Sequence, residues 1–187
     1  MLDSPAPDLT LLRPARMHEA TGSGRRAFAL AIAGRLTGPV LWVQDARAPD
    51  RLCPQGLQAL LDPARVIMVH PLGGKALLQV MEDGLRSGAA PLVVGEVDAA
   101  PDLTQSRRLQ LAAGTGGGRG LCLVPEGRLI ANAAETRWHC TPIPGVAGQA
   151  LQHWEMVKNK RGRLGSWEVA LGGRAAQHLG TARTNAA

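Results

Sequence analysis

The chain has no tyrosine, a single phenylalanine and four tryptophans among its 187 residues. A core with so few rings has to be built from Leu, Val, Ile and Ala, and each indole then needs a structural reason. Trp42 and Trp138 are expected as core anchors, while Trp154 and Trp167 are open between core and contact roles. There are three cysteines, Cys53, Cys122 and Cys140, an odd number without C-x-x-C spacing. That excludes a disulfide framework or a zinc ribbon and predicts reduced, buried thiols in a cytoplasmic protein. No apolar run approaches a membrane span, and the basic, apolar, small-residue order of a signal peptide is missing. A soluble chain with no membrane partner is therefore expected. His18-Glu19 opens like H-E-x-x-H, but Gly22 stands where the second histidine belongs, and no G-x-S-x-G elbow occurs. No metal, cofactor or catalytic residue is predicted.

Ordinary globular composition is present, with 45% hydrophobic and 19% charged residues, enough for one domain with a full core. The net charge is +6 and the pI about 10.2, carried mostly by Arg. Such an excess suits a polyanionic partner, and a high-GC genome favouring Arg, Ala, Gly and Pro would give the same composition.

Near the start, Arg16-Met17-His18-Glu19-Ala20-Thr21-Gly22-Ser23-Gly24-Arg25-Arg26 leads into an apolar-periodic segment. This is the strand, glycine loop, helix layout of a nucleotide-binding P-loop. A working loop needs four residues between its glycines, so that backbone N–H groups wrap the phosphates, followed by Lys and a metal-binding hydroxyl. Here one residue separates Gly22 from Gly24, and Arg25 and Arg26 stand at the Lys and Ser/Thr positions. The loop reads as vestigial.

Farther on, helices with one apolar face are predicted at Arg25 to Leu36, Gln55 to Leu61, Lys75 to Arg86 and Asp102 to Ala113. Short apolar runs at Pro39 to Val43, Val66 to His70 and Pro91 to Val97 read as strands between them. Gly114 to Gly120 reads as a loop. Beyond it come strands without helices, at Gly120 to Val124, Thr136 to Pro142, about Trp154 to Asn159, and Trp167 to Leu171. The fold class is α/β, a mainly parallel sheet flanked by helices with a later antiparallel meander. Residues 1–14 form an arm, 15–172 the domain and 173–187 a disordered tail.

This order of elements resembles the RecA-like P-loop core, and more narrowly the degenerate RecA-like proteins of the ImuA type, accessory factors of damage-induced mutagenesis. The residues that carry the resemblance are His18 to Gly22, Trp42-Val43, Ser106-Arg107-Arg108-Leu109-Gln110-Leu111-Ala112-Ala113, Ala134-Glu135-Thr136-Arg137-Trp138 and Val157-Lys158-Asn159-Lys160-Arg161-Gly162. The resemblance spans roughly Arg13 to Leu171. It implies a non-catalytic adaptor of the SOS response and translesion synthesis, with a recombinase filament and a Y-family polymerase-like protein as partners and single-stranded DNA as a further candidate. A division inhibitor of the same response, also a shrunken RecA-like fold, is the alternative implied, and an atypical ATPase a third.

Against the ATP-hydrolysing recombinases, Leu92-Val93-Val94 is followed by Gly95 where a metal-positioning Asp belongs. Alternation along the strand would aim Glu96 away from the nucleotide side. In the recombinases the Lys-Asn-Lys segment lies at the subunit boundary. Lys158, Lys160, Arg161 and Arg163, between Trp154 and Trp167, are accordingly the predicted partner or nucleic-acid contact, removable at little cost to the fold. Arg107 and Arg108 are the reserve surface.

Overall fold

The computed structural model describes residues 12–145, 150–172 and 177–178. Strands β1 (Arg16–Thr21), β2 (Val40–Gln44), β3 (Val66–Val69), β4 (Leu92–Glu96), β5 (Arg119–Leu123), β6 (Thr136–Ile143), β7 (Ala150–Asn159), β8 (Gly165–Leu171) and β9 (Gln177–His178) form one sheet in the order β3-β2-β4-β5-β1-β6-β7-β8-β9. From β3 to β6 all pairings are parallel, and from β6 to β9 all are antiparallel. β6 is thus the junction of the two halves.

Helix α1 (Arg25–Arg35) covers one face, burying Phe28 to Ala33 against Trp42, Val94, Trp138 and Trp154. Phe28 stands edge-on to Trp154 at 4.9 Å and tilted to Trp138 at 5.2 Å. These contacts account for three of the chain's few rings. Helices α3 (Gly74–Ser87) and α4 (Leu103–Gly116) cover the other face, where Leu77, Met81, Leu85 and Leu109 meet Met17, Val93 and Cys122. Asp102 starts α4 with a reciprocal capping box to Gln105, satisfying backbone donors that a helix end leaves free.

The glycine-rich stretch read as a loop is instead divided between the end of α4, a two-residue link at 117–118 and the start of β5. α4 runs through Gly116 and β5 begins at Arg119, because a side chain at 116 would sit 1.9 Å from the Leu85 carbonyl of α3. Gly116 serves close packing of α4 on the end of α3. The helix expected at Gln55 to Leu61 shrinks to α2 (Pro54–Leu57), and β7 starts four residues before Trp154. Cys122 and Cys140 are buried, with burial pushing both thiols well up, whereas Cys53 is exposed at the start of α2. Within the expected tail, Gln177–His178 pair with β8; its other residues, and residues 1–11 of the expected arm, lie outside the described ones. Among the described residues no helix is long and apolar enough to cross a membrane.

Candidate functional site

The glycine loop lies at the carboxyl end of β1, where open parallel sheets present their ligand sites. Gly22 takes φ +86°, and a Cβ there would meet the Cys140 carbonyl oxygen of β6 at 2.3 Å. Gly24 N donates to that same carbonyl at 2.8 Å, and a Cβ on Gly24 would lie 2.1 Å from Gln152 Oε1 of β7. Arg25 donates from Nη1 to the Gly22 carbonyl at 3.0 Å. The loop is clamped onto the antiparallel half of the sheet rather than opened as a cradle.

Behind it, Arg26 donates from Nε and Nη2 to Glu96 Oε2 at 2.9 and 2.7 Å, and Trp42 Nε1 donates to Glu96 Oε1 at 2.8 Å. Glu96 therefore faces α1 and the loop, contrary to the expectation from the strand's alternation. The alternation itself holds, but a side chain at Gly95 would strike Met81 Sδ of α3 at 2.1 Å, so 95 is the position turned away. A guanidinium occupies the carboxylate that a metal-binding site would need. The adjoining cleft, about 440 Å³, sets Arg25, Arg26 and Arg47 against Asp45, Asp50, Glu96 and Asp98, one more negative charge than positive. Asp45 keeps its charge to about pH 2 because Arg47 hydrogen-bonds it, and it also accepts from Gly73 N at 2.6 Å. A metal-bound triphosphate does not fit these residues, since its charge would meet net repulsion, Gly24 N is taken by the Cys140 carbonyl and the Arg26 guanidinium by Glu96.

A second cluster lies on the face that carries α4. Residues 124–135 connect β5 to β6 across β1 without a helix or strand. An irregular crossover leaves backbone groups that need partners. Lys158 Nζ donates to Asn132 O at 2.9 Å, Lys160 Nζ to Ala133 O at 2.7 Å and Arg137 Nη2 to Ile130 O at 2.6 Å. Ala133 N donates to Ser106 Oγ of α4 at 2.9 Å. Fully buried Glu19 accepts from Arg137 Nε and Nη2 at 2.8 and 2.7 Å and from Asn132 Nδ2. Glu135 pairs with Arg161 at 3.3 Å and Arg16 at 3.7 Å.

The four cations expected to act together are thus divided. Lys158 and Lys160 hold the crossover, and burial together with the Arg137 charge pulls the Lys158 ammonium down from its usual range. Arg161 pairs with Glu135 at the rim, and Arg163 is exposed. On α4, Arg108 meets Glu82 of α3 at 2.6 Å, while Arg107 is exposed and makes no ion pair among the described residues. Glu19, Asn132 and Glu135 had no assigned role in the sequence; the signal was there in His18-Glu19 and Glu135 to Trp138, two motifs that the β1–β6 register brings side by side.

No protein-family model matches the chain. Protein ImuA of Caulobacter vibrioides (strain NA1000 / CB15N) is 33% identical over 174 residues, covering 82% of this chain and 70% of that relative. The same figures hold for Protein ImuA of Caulobacter vibrioides (strain ATCC 19089 / CIP 103742 / CB 15). The chain belongs to the ImuA family. A crystal structure of SulA from Pseudomonas aeruginosa is similar at 16% identity with TM-score 0.49, covering 60% of this chain and 99% of that one.

In this ImuA-family chain the motif residues do structural work, and His18 shows how. Trp138 Nε1 donates to Thr136 Oγ1 at 2.9 Å, Thr136 meets His18 Nδ1 at 2.8 Å, and His18 Nε2 lies 3.0 Å from the Arg13 carbonyl. Because Nε2 faces a carbonyl it carries the proton, and Nδ1 accepts from the hydroxyl. Burial lowers the His18 pKa from 6.5 to about 4, with nearby Arg119, Arg16 and Arg13 adding to the effect. A histidine with a depressed folded pKa stabilises fully above its unfolded value and loses that contribution as pH falls. Unfolding free energy should drop by about 3 kcal/mol between pH 6.5 and pH 4 on this account. Urea titrations across that range test it, and a His18→Gln variant with an equally steep decline would show that another group is responsible.

Proposed function

We propose that this protein is a RecA-like adaptor without ATPase activity, acting in the cytoplasm in damage-induced mutagenesis. It would join a recombinase filament on single-stranded DNA to an error-prone polymerase through a Y-family polymerase-like companion. The observation that carries the reading is the double hydrogen bond from Arg26 to Glu96 beside a loop clamped on Cys140. A nucleotide machine needs that carboxylate free for metal and that loop open for phosphate. ImuA-family membership supports the rest. With chemistry removed, what remains is shape and charge, and an adaptor works through those.

Titration calorimetry with Mg²⁺-ATP should show no affinity in the micromolar range. In a pull-down, the purified protein should be retained by the recombinase filament, by the polymerase-like companion, or by both. Micromolar Mg²⁺-dependent ATP binding, or capture by neither partner, would overturn the proposal. Arrest of division-protein polymerisation in place of capture would move the protein to the division-inhibitor class.

A further inference from the structure

We propose that the outer face of α4 is a docking site for an acidic amphipathic helix of a partner protein; this deepens the adaptor reading and rests on it. Leu103, Arg107 and Leu111 follow at i, i+4 and i+8, which places them along one side of the helix. Leu103 is 48% and Leu111 71% exposed, although the other face of the same helix is closed by buried Ser106, Leu109, Ala112 and Ala113. Two exposed leucines about 12 Å apart with a cation between them are more than scattered surface apolarity. They match the anchor spacing of a helix laid across another helix.

Charge decides the occupant. Arg107 makes no ion pair among the described residues, while its neighbour Arg108 is held by Glu82. The acid at this end of α4, Asp102, is engaged in the capping box. Beside the stripe, a shallow groove of about 70 Å³ between α3 and α4 is lined by Lys75, Leu78, Glu82, Gln105 and Arg108; Glu82 is neutralised by Arg86 and Arg108, and Lys75 makes no ion pair among the described residues. A second copy of this face would set Arg107 near its own twin and repel. The complement is a helix with two apolar anchors and a carboxylate between them. Its leucine-type side chains would cover Leu103 and Leu111 while its Asp or Glu reaches Arg107.

Two synthetic peptides of about 15 residues, long enough to form helix on contact, provide the probe. One carries leucines at i and i+7 with glutamates between, and the other has lysines in place of the glutamates. Titrated into the ¹⁵N-labelled full chain, the acidic peptide should give saturable shifts at the Leu103, Arg107 and Leu111 amides, with at least tenfold weaker binding of the lysine peptide. Arg107→Glu should reverse that preference. Equal binding of both peptides, shifts elsewhere, or no shifts would overturn the docking site.

A triple variant, Leu103→Ser, Arg107→Glu and Leu111→Ser, then goes into the partner pull-down, with circular dichroism and the single change Leu111→Ala to separate binding from folding. Loss of capture by a folded variant supports the site. Equal capture by wild type and variant sinks it while leaving the adaptor reading intact, and capture by neither sinks the adaptor reading while the peptide titration still decides the site.

Discussion

Glu19→Ala should destabilise the protein by about 3–5 kcal/mol, the usual result of breaking a buried ion pair from one side. The carboxylate is completely buried, and its partner Arg137 is 14% exposed, so the guanidinium left behind cannot recover its hydration. Asn132 loses an acceptor at the same time, and among the described residues the crossover then keeps ties to β1 only at its two ends, from Val124 N to the Ala20 carbonyl and from Glu135. For a domain of this size the melting temperature should fall by roughly 10 °C. Arg137→Leu alone should also be costly, because the guanidinium holds the Ile130 carbonyl as well. The double change Glu19→Ala with Arg137→Leu should cost clearly less than the sum of the two single ones, since no isolated charge remains. Chemical denaturation of the four proteins measures this. Additive losses, or a Glu19→Ala loss under 1 kcal/mol, would show that the pair is uncoupled.

Gly22→Ala should be nearly as severe, about 4 kcal/mol or outright failure to fold. A left-handed backbone costs an L residue about 1–2 kcal/mol, and overpacking adds about 1–3 more. The obstruction is the Cys140 carbonyl, a main-chain atom of β6 that cannot rotate aside and that also accepts from Gly24. At Gly24 the first obstruction is the end of the Gln152 side chain, so Gly24→Ala should be milder, and more so with Gln152→Ala behind it. Melting curves for the three variants give the order. If Gly22→Ala were harmless, the loop would have to be far looser than its contacts with β6 indicate.

Much of the fold was readable because its elements are short and strongly periodic. Phe28, Ile32 and Leu36 mark the buried side of α1, and the apolar runs at β2 and β4 mark strands covered on both faces. Leu77, Met81 and Leu85 do the same for α3. Local pattern failed where long-range packing decides. Gly116 looks like part of a loop until the Leu85 carbonyl of α3 is set against it. Glu96 was assigned to the wrong face because alternation fixes relative directions along a strand but not which helix lies on which side. Glu19 and Arg137 are 118 positions apart, so neither implies the other without the sheet order. The cations of the Lys158 to Arg163 segment were visible as a basic run, but their division between crossover carbonyls and solvent follows from a connection whose shape no periodicity announces.

The place of β1 in the sheet bears on how the chain is made. It is the first strand of the described chain, yet both of its neighbours come late: Arg16 pairs with Arg119 in β5, and Glu19 with Arg137 in β6. At about 5–20 residues per second of synthesis, β1 leaves the ribosome roughly 5 to 20 seconds before either flank exists. Through that interval Met17 and Ala20, both fully buried in the finished protein, have no sheet to enter. β2 and β4 are adjacent and available to pair beforehand, whereas β1 has no hydrogen-bonding neighbour until β5 is made. Completion waits for β6, and with it for the crossover whose cations, Lys158 and Lys160, are translated later still.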